Sequence, residues 1–208
     1  MRARPITPAA LVAELAGRLA SGPVRWIRVA VDGAPAAGPD ALAEAVADAL
    51  PPLGRAAHRV RAADFQRPAS VRLEFGRTNP DSYYEGWLDS AGLRREVLDP
   101  LKPGGTGRVL PTLWDTAADR ASRADYLTLP PGAVLLVSGP LLLGDGLPFD
   151  LTVHLSMSSA ALRRRTPAAE HWTLPAFARY DAEVAPASFA DVVVRCDDPR
   201  HPAIVAEP

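Results

Sequence analysis

Lysine is almost missing from this chain. Lysine and arginine together number 23, and Lys102 is the only lysine among them. A site that needs a flexible point charge has one candidate, and every other fixed cation is a planar guanidinium. Cysteine is as scarce, since Cys196 alone excludes an intramolecular disulfide and a cysteine-built metal centre. The 4 histidines, His58, His154, His171 and His201, fall at no ligand spacing, so a metal site is not expected. No stretch approaches the ~18 apolar residues of a membrane span. The first residues carry Arg2 and Arg4 but no continuous apolar run of a secretory leader. Net charge is −1 and charged residues make up 23%, so the basic excess of a nucleic-acid surface is missing too. These absences lead us to expect a cytoplasmic protein with neither a membrane nor a nucleic-acid partner.

What remains is enough for one sizeable α/β domain: 208 residues, 48% of them hydrophobic. Thr7-Pro8 reads as an N-cap and a first-turn proline, giving residues 1–24 a helical extension that ends near Ser21-Gly22. An apolar strand is expected from Trp26 to Val31, and an alanine-rich helix from Pro39 to Leu50, broken by Pro51-Pro52. His58 to Ala63 predicts a second strand. Residues 66 to 80 carry Arg67-Pro68, Gly76 and Asn79-Pro80, the marks of a loop or short hairpin. Asp81 to Leu98 predicts one helix with Tyr84, Trp87, Leu88, Ala91 and Leu93 near one face. The proline- and glycine-rich stretch from 99 to 132 reads as loop. Ala133 to Val137 fits a buried parallel strand, and Leu151–Leu155 and Asp191–Val194 fit two more. Helices over Ser158–Arg165 and Leu174–Val184 separate them, so 158–185 form a lid-like helical segment. Strands alternating with helices imply a doubly wound parallel sheet, flanked by helices, with ligands at the carboxyl ends of the strands.

The most informative local pattern is the strand that runs into Gly33, Ala34, Pro35, Ala36, Ala37, Gly38, Pro39 and Asp40. Its spacing is that of the phosphate-binding G-x-x-x-x-G-K-[ST], in which backbone amides and a helix N-terminus cradle phosphates. Pro39 stands where the lysine belongs, and Asp40 where the magnesium-binding hydroxyl belongs. Proline deletes an amide. Asp40 stabilises the helix by roughly 0.3–1 kcal/mol and repels a polyphosphate.

The order of motifs resembles the uridine kinase and phosphoribulokinase branch of the P-loop nucleoside kinases, especially uridine kinase-like proteins of actinobacteria. The likeness is carried by Val29-Ala-Val-Asp-Gly33, Asp64-Phe65-Gln66-Arg67-Pro68, Tyr83-Tyr84 with Trp87-Leu88-Asp89, and Val97-Leu98-Asp99-Pro100-Leu101. It continues through Pro103-Gly104-Gly105, Trp114-Asp115, Leu135 to Gly139, Arg163-Arg164-Arg165, Arg179-Tyr180 and Ala190 to Val194. The resemblance implies a P-loop NTPase-like fold and transfer of a phosphoryl group from ATP or GTP, with Mg²⁺, to the 5′-hydroxyl of a pyrimidine nucleoside. It implies Asp64 beside the acceptor hydroxyl, and Arg163, Arg164 and Arg165 on a lid over the transferring phosphate. It also places Arg67, Tyr83, Tyr84, Trp114, Asp115 and Arg179 around the nucleoside. This sequence departs from the family at Pro39 and Asp40, at Ser138 where an acidic strand end is expected, and at Asp119 where a base-contacting histidine is common.

Two functions compete. One is a uridine kinase-like phosphotransferase of weakened activity, in which Lys102 or the lid arginines replace the loop lysine. The other is a catalytically inactive relative that binds a nucleoside, a nucleotide or a protein. The expected partner is a small-molecule nucleoside or nucleotide, and self-association into a homo-oligomer stays open.

Overall fold

The computed structural model describes residues 3–22 and 25–205. The chain opens with a short strand, β1 (Ala3–Pro5), where only a helical extension is expected from the sequence. Residues 1, 2, 23 and 24 of that expected extension lie outside the described residues. Helix α1 (Pro8–Ala20) starts as its sequence dictates: the Thr7 side chain accepts the Ala10 amide at 3.2 Å. Strand β2 (Ile27–Gly33) is buried throughout and leads through the glycine loop into α2 (Pro39–Ala49). Strand β3 (Ala57–Arg61) follows and gives way at Ala62 to a 3₁₀ turn.

From here the structure departs from the expected loop and single long helix. Residues 66–80 contain a short helix, α3 (Ala69–Arg72), and the helix expected over Asp81–Leu98 is broken into α4 (Pro80–Gly86), α5 (Ser90–Leu93) and a π turn at Arg94–Leu98. The break has a long-range cause. Leu88 forms an isolated bridge with Gln66, and the Asp89 amide donates to the Phe65 carbonyl at 2.8 Å. Asp89 then caps α5 by accepting from the Gly92 amide at 2.9 Å. The 99–132 stretch is mostly loop but holds two small hairpins. One pairs β4 (Arg108–Val109) with β7 (Leu127–Thr128); the other pairs β5 (Trp114–Asp115) with β6 (Arg120–Ala121). The chain then completes the sheet with β8 (Val134–Gly139), β9 (Leu151–Ser156), α6 (Ser159–Arg165), α7 (Leu174–Glu183), β10 (Val192–Arg195) and β11 (Ala203–Val205).

The main sheet runs β1-β11-β10-β9-β2-β8-β3. The five strands from β10 to β3 are mutually parallel, and β2 lies between β9 and β8. On the β10 side β11 pairs antiparallel with β10, and the edge strand β1 pairs antiparallel with β11. Alternation along the strands builds two layers. Ile27, Val29 and Val31, with Val134 and Leu136, face Leu11, Leu15, Leu19, Ala43 and Val46 of α1 and α2. Leu135, Val137 and Val60 face the opposite way, onto Phe65, Leu93, Val97 and Leu98.

The amino end of the sheet is closed by polar contacts. Arg28 grips Asp150 through its backbone amide at 2.9 Å and its guanidinium at 2.9 and 3.1 Å. The Trp26 indole donates to the Pro130 carbonyl at 2.8 Å. At the carboxyl ends, by contrast, β2, β3 and β8 deliver their loops to one cleft.

Candidate functional site

The loop between β2 and α2 is shaped by two glycines. At Gly33 a Cβ would sit 2.9 Å from the Leu155 side chain, so only glycine lets β9 approach this closely. Gly38 adopts the left-handed conformation (φ 80°) that turns the chain into α2. Between them Pro35–Ala37 form a 3₁₀ turn, in which the Ala37 amide donates to Ala34 O at 2.8 Å and the Gly38 amide to Pro35 O at 3.1 Å. These amides are turned into the loop's own hydrogen bonds and away from an anion. Pro35 and Pro39 contribute none.

Asp40 sits in the first turn of α2, and Ser138, fully buried at the end of β8, donates its hydroxyl to Asp40 Oδ1 at 2.5 Å. The family pattern has a hydroxyl on the loop and a carboxylate on the strand. Here the two groups have exchanged positions and still meet. Arg61, level with Ser138 across β3 and β8, is the guanidinium nearest this pair in the sheet register. It is already bound: its Nε and Nη2 donate to both Asp64 oxygens at 2.9 and 2.7 Å. That bond raises the Arg61 pKa, with Coulomb attraction to Asp64 and a smaller one to Asp40 adding to it. Asp64, expected beside an acceptor hydroxyl, is thus held in an ion pair.

Below the loop lies a network that the sequence reading did not anticipate. Asp32 is fully buried in β2. One of its oxygens accepts the Leu142 amide at 2.9 Å; the other lies 3.1 Å from the Tyr180 hydroxyl, which donates to it, and 2.7 Å from His154 Nδ1. The Tyr180 hydroxyl in turn accepts the Leu143 amide at 3.0 Å. Burial, and after it the charge of Asp32, raise the Tyr180 pKa far above the phenol range, so it acts only as a hydrogen-bonding hydroxyl. Asp181, next to this network, is also raised, chiefly by burial. The network ties the turn after β8 to β2, β9 and α7. The available signal was a lone carboxylate inside an apolar strand, which must find donors if it is buried.

The cleft that these elements enclose has a volume of about 340 Å³. Pro35, Gly38, Pro39 and Asp40 form its loop side, Ser138 to Leu141 its floor, and Tyr83, Tyr84, Trp87 and Leu88 its far wall. The wall is stiffened from behind by aromatic packing. Tyr83 meets Trp87, Trp172 and Phe177 edge-on with ring centroids 5.1, 5.6 and 5.9 Å apart. Arg179 stacks 4.5 Å from the Tyr84 ring and pairs with Asp81, Glu85 and Glu183 at 3.3, 2.7 and 2.8 Å.

Of the residues singled out from sequence, Pro35, Gly38, Pro39, Asp40, Tyr83 and Tyr84 meet in this cleft. Gly33, Ala34, Ala36 and Ala37 shape the loop behind it. The others lie apart from it. Trp114 donates its indole to Asp119 at 3.1 Å, and Asp119 also accepts the Ala69 amide at 2.8 Å; this backbone bond leads the causes of its lowered pKa. Asp115 caps its own hairpin by accepting the Ala117 and Ala118 amides at 3.0 Å. Arg67 docks its backbone amide on Trp87 O at 2.9 Å. Arg163, Arg164 and Arg165 line a separate open hollow with Thr166 and His171, and Arg165 is bonded to Cys196 O at 2.8 Å. Lys102 lies with Arg25 and Trp26 at the amino end of β2, and the 7 residues of that strand place the loop ~20 Å away. It cannot stand in for the missing loop lysine.

The nucleotide and Mg²⁺ that the resemblance implies do not fit this loop. Two amides are bonded inward, prolines delete two more, a carboxylate occupies the anion's place and no lysine or arginine lines the cleft. Among the described residues no group of three or more His, Cys, Asp or Glu is arranged to hold a metal ion, and no helix is long and apolar enough to cross a membrane.

Comparison with solved structures finds the same α/β architecture in proteins that include kinases. A possible uridine kinase from Bacillus stearothermophilus superposes with a TM-score of 0.71 at 18% identity, over 88% of this chain and 96% of that one. A protein assigned as a fructose transport system kinase, from Silicibacter sp. TM1040, gives 0.59 at 27% identity, over 85% and 89% of the two chains. The YGR205w protein gives 0.52 at 12% identity, over 86% and 79%. No family model matches the chain, and no curated protein sequence does.

Proposed function

We propose that this protein is a small-molecule-binding module on a P-loop kinase fold, one that keeps the nucleoside side of the cleft and has given up phosphoryl transfer. The observation that carries this reading is Asp40, a carboxylate where a phosphate would lie, in a cleft lined by no cation. Phosphoryl transfer depends on positioning and on neutralising charge, and both are missing on the loop side. The aromatic side is intact, and 340 Å³ lies within the range of small-ligand sites. Titration calorimetry with Mg-ATP, Mg-GTP, uridine and cytidine tests the reading. The expected result is no saturable nucleotide binding below millimolar concentration and measurable binding of an unphosphorylated compound. Micromolar Mg-ATP affinity, or transfer of phosphate to a nucleoside, would refute it.

A second reading, a weakened nucleoside phosphotransferase, draws on the Asp40–Ser138 contact, which keeps one carboxylate and one hydroxyl where such an enzyme holds magnesium. Under that reading Asp40→Asn abolishes a Mg²⁺-dependent turnover that the wild-type protein shows.

A further inference from the structure

The charge of the cleft goes beyond the loss of a phosphate site, because it selects a ligand of the opposite sign. Three carboxylates line the cavity: Asp40, Glu85 and Asp145. Glu85 is largely answered by Arg179 at 2.7 Å. The Asp40 carboxylate receives only the neutral Ser138 hydroxyl. Of the neighbouring guanidiniums, Arg59 bonds the Asp40 backbone carbonyl at 3.4 Å and pairs with Glu44 at 3.3 Å, and Arg61 is bound twice to Asp64. Asp145 stands exposed on the turn after β8, close enough to the Tyr84 hydroxyl for its charge to help keep that proton on, after burial and Glu183. The N-terminus of α2 opposes these charges with roughly half a positive charge, which one full carboxylate in its first turn more than cancels. Arg72 is buried behind the wall and does not line the cavity; it is bonded to Arg67 O at 2.6 Å and stacked 5.0 Å from the Trp87 ring. The cavity is therefore negative at both rims and walled by Tyr83, Tyr84 and Trp87. Arg179, held by Asp81, Glu85 and Glu183, already stacks on the Tyr84 ring and Arg72 on the Trp87 ring, which shows that the wall accepts a flat cation.

We propose that the cleft binds an organic cation: a flat or compact apolar body, stacked on the Tyr83–Trp87 wall, that carries an amine, amidinium or quaternary ammonium group directed to Asp40 and Asp145. This rests on the reading of the cleft as a small-molecule site and deepens it by naming the ligand class. Shape and charge act together. The aromatic wall accepts any flat body, and the carboxylates decide which of several equal shapes remains, since a unit charge a few ångströms from a carboxylate near a protein surface gains at least a factor of ten in affinity.

The test uses three probes of nearly one shape and three charges: benzamidine, its neutral analogue benzamide, and benzoate. Each is titrated into the full chain and followed by tryptophan fluorescence and calorimetry, with uridine as a larger neutral reference. Benzamidine is expected to bind at least ~10-fold tighter than benzamide, to weaken as salt rises, and to lose most of that preference in Asp145→Asn and in Asp40→Asn. Asp198→Asn, at the distant His201 turn, should leave it unchanged. Equal affinity for benzamidine and benzamide, or binding of uridine alone, overturns the cation inference and leaves the small-molecule site standing. Preference for benzoate or Mg-ATP overturns both, and so does failure of all the probes and uridine to bind. A benzamidine preference that survives both aspartate substitutions places the cation elsewhere and overturns the inference.

Discussion

Asp150 and Asp40 stand at opposite ends of one sheet and meet opposite fates. Asp150, at the amino end, is gripped by three donors of Arg28 and approached by Arg25 at 3.4 Å. Asp40, at the carboxyl end, faces a cavity and its carboxylate is met only by a hydroxyl. The lone lysine lies at the closed end. In a fold that binds ligands at the carboxyl ends of its strands, the lone lysine is thus at the wrong end for a polyphosphate and a carboxylate without an ion-pair partner at the right end for a cation. The comparison separates carboxylates that build the protein from one left available to a ligand, and substitutions at each end make the separation measurable.

The largest effect is expected beneath the cleft, at Asp32. It is wholly buried and answers the Leu142 amide, the Tyr180 hydroxyl and His154. Asp32→Ala strands three buried polar groups at once and should cost about 3–5 kcal/mol in denaturant unfolding. A loss below about 1 kcal/mol would show that the turn after β8 is held by packing alone. Asp40→Asn, in the first turn of α2, should stay within about 1 kcal/mol, because its side chain already borders open space.

Next in size is Arg28→Met at the amino end. Both partners are largely buried, with side-chain exposures of 11% and 12%, so the variant leaves the Asp150 carboxylate with only the more exposed Arg25 at 3.4 Å, at a cost of about 3 kcal/mol at neutral pH. The pH dependence follows from the Asp150 pKa. Burial would raise it, but the hydrogen bonds and charge of Arg28 win and hold it below the usual carboxylate range. A depressed carboxylate contributes stability above its unfolded pKa of about 4 and loses it as pH falls through the lower folded value. The gap between wild type and variant should therefore be full at pH 6 and shrink progressively below pH 4. A gap independent of pH would mean that the arginine acts through packing.

The two ends also differ in how far the sequence discloses them. The buried strands β2 and β8, the glycine loop and the α1 cap are local patterns, and they stand close to where the residues put them. Strands β1 and β11 are three residues each, and their pairing joins segments about 200 positions apart, which no local period records. The break in the 81–98 helix depends on Gln66 and Phe65, reached only through the tertiary fold. Asp40 was visible as a carboxylate in an anion loop, whereas its contact with Ser138 spans 98 positions. The Arg61–Asp64 pair was legible in principle at a spacing of three, yet the family resemblance drew attention to Asp64 alone. Asp32, His154 and Tyr180 converge from β2, β9 and α7, and only the apolar company of Asp32 hinted at them.

A smaller effect comes from rebuilding the loop. Pro39→Lys with Asp40→Thr restores an amide, a cation and a hydroxyl and removes the repelling carboxylate. The Ala37 and Gly38 amides remain bonded within the 3₁₀ turn, and Ser138 still supplies no strand carboxylate. Mg-ATP affinity should therefore rise by about tenfold in calorimetry, or ~1.4 kcal/mol, and stop well short of a working kinase site. A gain of a thousandfold would show that the turn opens when a phosphate arrives, and that Asp40 and Pro39 alone had closed the site.

The smallest effect belongs to the residue that the composition makes most conspicuous. Lys102 shares its hollow with Arg25, Trp26 and Pro103, at the start of β2, while the loop begins where that strand ends. The ~20 Å between them exceeds two Debye lengths of about 8 Å at physiological salt, so its charge is screened from the cleft. Lys102→Ala should change stability by no more than about 0.5 kcal/mol and leave every ligand affinity within twofold. The same substitution at a loop lysine of an active P-loop enzyme would remove the cation that holds the β- and γ-phosphates. A drop of more than about threefold in cleft affinity for Lys102→Ala would mean that the two ends of the sheet are coupled through the β2 core, and the contrast between a closed and an open end would no longer hold.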